Sequence, residues 1–291
     1  MEPVRELVRS VTAGAGTERY LLTLHREDFS ALYPGMVRYV LAVMSGDVPL
    51  AIFRTNTYEY SPLDPPTAET TAVQTADEWE NELRNDPSGL FRNYPPDQAE
   101  YRTTPSAADL VVIQGSPRAD GNCGILASWA VEAAQDAGRT AQVIYPHDLD
   151  IHCCIGCYQC YNTGSCVFDD DMMGIITAIR GASLIIACSP VYTNTVTGGL
   201  KLVIDRMQAY HAERALYGGG TGQKGLILSV AGRKGEDNFT CVTKVVSAFF
   251  RNLDIGLAGQ VLIDRADTVR DIRTIAGLEQ EVKEKVRSAL R

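Results

Sequence analysis

Nothing in this sequence provides for a membrane or a nucleic acid. No apolar run approaches the roughly 20 residues of a bilayer-spanning helix. The opening residues, MEPVRELVRSVTAGAG, lack the continuous apolar stretch of a secretory leader. Positive charge is in deficit, with 27 Lys and Arg against 36 Asp and Glu and a formal net charge of −9. Phosphate neutralisation along DNA or RNA needs a basic face, so that class of partner is excluded. No internal repeat or low-complexity tract interrupts the chain. These absences make a cytoplasmic protein without membrane or nucleic-acid partners the expectation.

What is present is ordinary in bulk and unusual in one place. At 291 residues, 45% hydrophobic and 22% charged, the chain has material for two modest domains or one domain with a large extension. Five of its eight cysteines fall within the fourteen residues Cys153–Cys166. Structural disulfides are unusual in the cytoplasm, so this crowding points to metal or redox chemistry.

From Ala108 onward, short apolar runs alternate with helical stretches. Asp109–Gln114, Gln142–Tyr145, Ser183–Cys188, Gly225–Val230 and Gly259–Ile263 read as five strands, apolar on both faces. Helices are predicted to about Gly138, over Asp171 to Arg180, over Gly198 to His211, between the fourth and fifth strands, and at the C-terminus. The pattern predicts an α/β fold: a flavodoxin-like, doubly wound, five-stranded parallel sheet with helices on both faces, its ligand at the carboxyl ends of the strands. Residues 1–107 differ. Tyr20–His25, Met36–Met44 and Leu50–Arg54 look like strands, SPLDPPTAETTAVQT like a connector, and Ala76–Arg84 like an acidic helix before a second Pro-rich link. They predict a small N-terminal α+β appendage of unassigned role, with residues 108–291 forming the main domain and 152–168 its cysteine loop.

The first strand runs into Gly115-Ser116-Pro117-Arg118-Ala119-Asp120-Gly121-Asn122-Cys123 and a helix. Backbone N–H groups at a helix N-terminus hold a phosphate, and the helix dipole favours its charge. Ser116 and Asn122 add neutral donors, Arg118 a charge-assisted one, and Gly121 a close backbone approach. The loop has neither the Walker Lys-Ser/Thr pair nor GxGxxG, which disfavours ATP and a Rossmann dinucleotide. After the third strand, Pro190, Val191 and Tyr192 offer a flat apolar surface for an isoalloxazine, and Thr193, Asn194 and Thr195 offer polar groups for its edge. Ala231 and Gly232, ending the fourth strand, permit another backbone approach. Lys201 and Asp205 read as a helix-surface ion pair.

Cys154, Cys157, Cys160 and Cys166 form C-x2-C-x2-C-x5-C. Two-residue gaps let thiolates converge on one centre, and the first three cysteines match the opening of a bacterial ferredoxin run. A [4Fe–4S] cluster is the leading reading; tetrahedral zinc, a thiol–disulfide set and free thiols stay open. Cys153 is a spare, Cys188 and Cys241 read as small core residues, and His147 and His152 as satisfied loop histidines.

GSPRADGNC, SPVYTNTVTGGLK and the following IDR resemble the NADPH-dependent FMN reductase group of flavodoxin-like proteins. With the cysteine run and Asp169-Asp170-Asp171-Met172, the chain is similar to the iron–sulfur flavoproteins over about residues 108–291. Cys123 departs from that pattern, in which Thr or Ser is usual, and a thiol is the weaker donor. The resemblance implies FMN as cofactor, a redox flavoprotein passing electrons between FMN and a [4Fe–4S] cluster, ferredoxin or NAD(P)H as donor, and a homo-oligomer. Hydride transfer to flavin requires no protein acid, base or nucleophile, so no catalytic residue is assigned. The alternatives implied are a cluster-free NAD(P)H-dependent FMN or quinone reductase, and a zinc-stapled FMN-binding sensor.

Overall fold

The computed structural model describes residues 3–14, 17–31, 33–96, 108–218 and 222–291. By packing, the chain divides into two units: Met1–Tyr101 with Ile155–Val167 and Ala215–Tyr217, and the remainder.

The first unit is built on an antiparallel meander of β1 (Val4–Ala13), β2 (Tyr20–Asp28), β3 (Val37–Ser45) and β4 (Val48–Asn56), in that spatial order. Helix α1 (Ala68–Asn85) lays Ala68, Ala72, Ala76, Trp79 and Leu83 against Leu22, Leu24, Leu41, Val43 and Ala51 of the sheet. That spacing makes one apolar stripe. The helix begins eight residues before the expected Ala76. Thr67 and Thr70 form a reciprocal capping box immediately after Pro65-Pro66, so the Pro- and Thr-rich composition marks a helix start and not a linker. Strand β1 was not expected. It is an edge strand with mostly exposed side chains, and VRELVRSVTA carries no clean alternation. Arg9 of β1 pairs with Asp77 (2.6 Å) and Glu80 of α1. A further short helix, α2 (Ser88–Asn93), precedes the second expected link, of which 97–107 lie outside the described residues.

In the second unit, β5 (Leu110–Gln114) leads into α3 (Asn122–Asp136) and then β6 (Ala141–Ile144). After Cys154 the chain leaves as the segment Ile155–Val167, which belongs to the first unit and carries the four-residue helix α4 (Cys160–Thr163). It returns for α5 (Met172–Gly181) and β7 (Leu184–Pro190). The expected single helix from Gly198 is two, α6 (Gly198–Arg206) and α7 (Gln208–Tyr217), divided at Met207. Then follow β8 (Lys224–Val230), α8 (Thr240–Asn252), β9 (Gly256–Ile263), the short α9 (Ala266–Val269) and α10 (Leu278–Ala289).

The five strands are parallel in the order β6-β5-β7-β8-β9, the flavodoxin-like order, with its reversal between β5 and β7. All five expected strands are present. Leu110, Val112, Leu184, Ile186, Leu226 and Leu228 pack with α3 and α10. On the opposite face Phe250 of α8 lies against Gly225, whose missing side chain makes room for the ring. Among the described residues no helix is long and apolar enough to cross a membrane.

Candidate functional site

A cavity of about 1000 Å³ opens at the carboxyl ends of β5, β7, β8 and β9. Ser116, Arg118, Gly121, Asn122, Cys123, Pro190, Val191, Tyr192, Thr193, Asn194, Ala231 and Gly232 all line it. Of the expected ligand-binding residues only Thr195 does not. It turns back to pair with Tyr192 through Tyr192 N–H to Thr195 O (2.9 Å) and the reciprocal bond (3.0 Å). Between them Thr193 and Asn194 both have positive φ, 45° and 66°, so the rim is a tight hairpin turn. A β-branched residue in that region is costly, and such strain persists where surrounding structure enforces it.

The loop after β5 is organised by its own backbone. Gln114 is fully buried; its side chain accepts from Ser116 N–H (2.5 Å) and donates to Arg118 O (3.3 Å). Ser116 Oγ accepts from Arg118 N–H (3.1 Å), and Gly121 N–H donates to Arg118 O (3.2 Å). No side chain caps α3, so its first N–H groups remain for an anion. The expected donor Asn122 is partly committed, since its Oδ1 accepts from Ile272 N–H (3.3 Å). Gly121 has an ordinary φ of −77°. The steric demand falls instead on Gly124, where a Cβ would sit 1.7 Å from Ala119 O. Thr197 caps α6 and donates to Gly115 O (2.5 Å), tying the loops after β5 and β7 together.

Val230, read with Ala231 and Gly232 as the end of the fourth strand, also lines the cavity, and sequence reasoning missed Arg233, Asn238, Ala266, Asp267 and Arg270, which reach it from the segments after β8 and β9. The available signal was topological: in a doubly wound sheet every loop after a strand near the reversal faces the ligand. Among the described residues Arg118, Arg233 and Arg270 form no ion pair, and Asp267 is the one acidic residue facing them in the cavity. The surface suits an anion joined to a planar group. Lys201 and Asp205 pair on the exposed face of α6 at 2.7 Å, as expected.

None of the eight cysteines is in a disulfide. Cys154 is exposed, and Cys157, Cys160 and Cys166 are partly buried; Cys153 is exposed, Cys188 buried and Cys241 partly buried. The four expected ligands are the right donors for an iron–sulfur cluster. Among the described residues, however, no three His, Cys, Asp or Glu side chains gather as a metal site.

Both ends of the cysteine run are fixed within the second unit. Arg206 and Asp170, each with a side chain only 1% exposed, pair at 2.6 Å, and Arg206 also donates to His152 O (2.7 Å). Asp170 accepts from the backbone N–H of His152 (3.0 Å) and Met172 (3.2 Å). The Phe168 ring stacks on His152 (4.9 Å between centroids) and under the Arg206 guanidinium (5.1 Å). Burial alone raises the Asp170 carboxyl, but the Arg206 guanidinium and the two N–H groups outweigh it and hold the pKa at about 2. The acids after Cys166 thus close a neck as well as beginning a helix. His147 Nε2 meets Gly115 O at 3.0 Å, a partner within the loop region as expected.

A doubly wound sheet, an uncapped helix N-terminus at its switch point and a cation-lined cavity define a flavodoxin-like nucleotide-cofactor protein. The profile of the NADPH-dependent FMN reductase family matches residues 108–266, and the chain belongs to that family. It is also similar to an iron–sulfur flavoprotein of Methanocaldococcus jannaschii, 36% identical over 97 residues (33% of this chain, 50% of the relative). A second relative, an iron–sulfur flavoprotein of Archaeoglobus fulgidus, is 34% identical over 108 residues (37% of this chain, 49% of the relative). The chain thus spans about half the length of the curated relatives it matches. Among solved structures, an FMN-dependent NADH-azoreductase from Bacillus anthracis is similar with a TM-score of 0.49 and 14% identity, over 62% of this chain and 99% of that one.

Proposed function

We propose that the protein is an FMN-dependent oxidoreductase that also carries a [4Fe–4S] cluster on Cys154, Cys157, Cys160 and Cys166, with electrons passing between the two centres and ferredoxin or NAD(P)H as donor. The observation that carries the flavin half is the convergence of twelve expected residues on one cavity against an uncapped helix N-terminus. Bound there, FMN supplies hydride and one-electron chemistry. The protein's part is binding and placement. The N–H groups opening α3, with the Ser116 hydroxyl and Arg118, hold the phosphate. Pro190, Val191 and Tyr192 offer the ring a flat face, and the positive-φ pair Thr193-Asn194 presents backbone groups to its edge.

The cluster half rests on the spacing of four cysteines outside any disulfide and on the relatives' description as iron–sulfur flavoproteins. The family profile by itself supports a second reading, a cluster-free NAD(P)H-dependent flavin or quinone reductase. Anaerobic purification with a count of flavin, iron and labile sulfide decides between them. About four irons and four sulfides per chain beside one FMN are expected. FMN without iron or sulfide leaves the second reading, and a chain that retains no FMN removes both.

A further inference from the structure

The N-terminal sheet lies outside residues 108–266, the part of the chain that matches the reductase family. Within the first unit, that sheet meets the cysteine segment through two polar grips. In the first, Arg38 Nε and Nη2 both donate to Glu27 Oε2 (2.8 and 2.5 Å), both side chains about one-tenth exposed. Its remaining donor reaches Tyr161 O (3.1 Å) and Asn162 O (3.4 Å). These carbonyls lie in the single turn of α4. The second grip is Glu59. Its carboxylate accepts from the Asn162 side-chain amide, Gln159 Nε2 (2.7 Å), and Asn56 N–H (2.9 Å) and Nδ2 (2.6 Å). Asn56 Nδ2 also donates to Asn162 Oδ1 (2.9 Å) and Tyr158 O (3.3 Å).

The gripped residues need holding. Gly156, Tyr158 and Gly164 all have positive φ, and Tyr158 (58°) has no glycine's freedom. A strained backbone endures only where its surroundings over-determine it. The edge-on contacts of Tyr58 with Tyr158 (4.9 Å) and of Tyr33 with Tyr161 (4.7 Å) add to that restraint. Cys157 and Cys160 flank Tyr158 on either side, so whatever fixes Tyr158–Asn162 fixes where those two thiols emerge.

We infer that the N-terminal sheet is the mount of the cysteine segment, and that Glu59, through hydrogen-bond acceptance, is its positioning residue. The inference stands whether the thiols hold a cluster or remain free. A carboxylate presents only acceptors, and every neighbour just named presents it a donor. Alanine at this position strands those donors. Glutamine keeps one acceptor oxygen, and Gln159 can turn its own amide over to meet the new NH2.

Hydrogen–deuterium exchange on the full chain tests this, with all proteins in the same loading state. Glu59→Ala is expected to speed exchange of the 158–163 amides by on the order of tenfold or more. Exchange in β5 and β7 is expected to stay within about twofold, and Glu59→Gln to stay within about threefold of the parent at 158–163. Should Glu59→Ala also expose β2 and β3, Asn162→Ala decides, since it removes the grip from the segment's side; a rise confined to 158–163 supports the mount. Unchanged exchange at 158–163 in both alanine variants overturns it. An effect of Glu59→Gln as large as that of Glu59→Ala overturns the acceptor role.

Discussion

The loop after β5 and the cysteine segment are both irregular stretches between a strand and a helix, yet they are held in opposite ways. The first is shaped by its own backbone, by a buried glutamine one residue before it, and by a glycine three positions into its helix. The second is shaped by side chains distant in sequence, with Arg206 at its neck and Arg38, Asn56 and Glu59 along it. A backbone-held loop carries its structure wherever its βα unit goes. A side-chain-held segment is only as ordered as its remote partners. The contrast can be broken from either side.

The largest effect is expected at the neck. Asp170→Ala leaves the Arg206 guanidinium buried without its counter-charge, and loss of one partner of such a pair costs about 3–5 kcal/mol. Denaturant unfolding of the full chain measures it. The same pair has a pH signature. The folded pKa of Asp170, about 2, lies below the ordinary 3.8, so the unfolded chain takes up the proton first. Its contribution, about 2 kcal/mol, is therefore complete above pH 4 and is lost as the pH falls toward 2. Asp170→Asn is expected to flatten that part of the acid limb; an unchanged acid profile would count against the assignment.

Next in size is the charge over the proposed phosphate position. Arg118→Ala is expected to weaken FMN binding by about 1.5–3 kcal/mol while leaving riboflavin, which has no phosphate, nearly unaffected. Parallel fluorescence titrations of the two ligands report it, and equal losses for both would place Arg118 elsewhere than at the phosphate. Gly124→Ala forces a methyl toward Ala119 O and is expected to cost about 1–3 kcal/mol of stability through overpacking, with FMN affinity falling in step. The smallest effect belongs to the rim. Thr193→Asn exchanges a β-branched residue at φ 45° for one that tolerates that conformation, and a gain of up to about 1 kcal/mol in thermal unfolding is expected.

What sequence reading reached and what it missed follow the same contrast. The three central strands β5, β7 and β8 were visible because each is a short run buried on both faces, and the edge strands β6 and β9 because each carries a short apolar run between turn residues, patterns that need no knowledge of their neighbours. The loop after β5 was visible for the same local reason, and so was the Lys201–Asp205 pair. Strand β1 was missed because an edge strand with charged residues at Arg5, Glu6 and Arg9 has no periodicity of its own. It exists because β2 offers it a ladder. The start of α1 was hidden by composition, although Thr67-x-x-Thr70 carried the cap. Arg233, Asp267 and Arg270 come to the cavity from loops after β8 and β9, and only the strand order places them there. The bond from Glu59 to Gln159 spans one hundred positions, and no spacing rule reaches across that distance.

The neck at His152, Phe168, Asp170 and Arg206 has a consequence for how such chains change over time. Because both stems meet at Arg206, through His152 O on one side and Asp170 on the other, the neck itself does not depend on the length of what lies between them. Closing a loop costs little more as it lengthens, roughly 0.6 kcal/mol for each doubling. Segments of other lengths are therefore compatible with the same neck, while each exchange forfeits the grips that Arg38, Asn56 and Glu59 hold on this one.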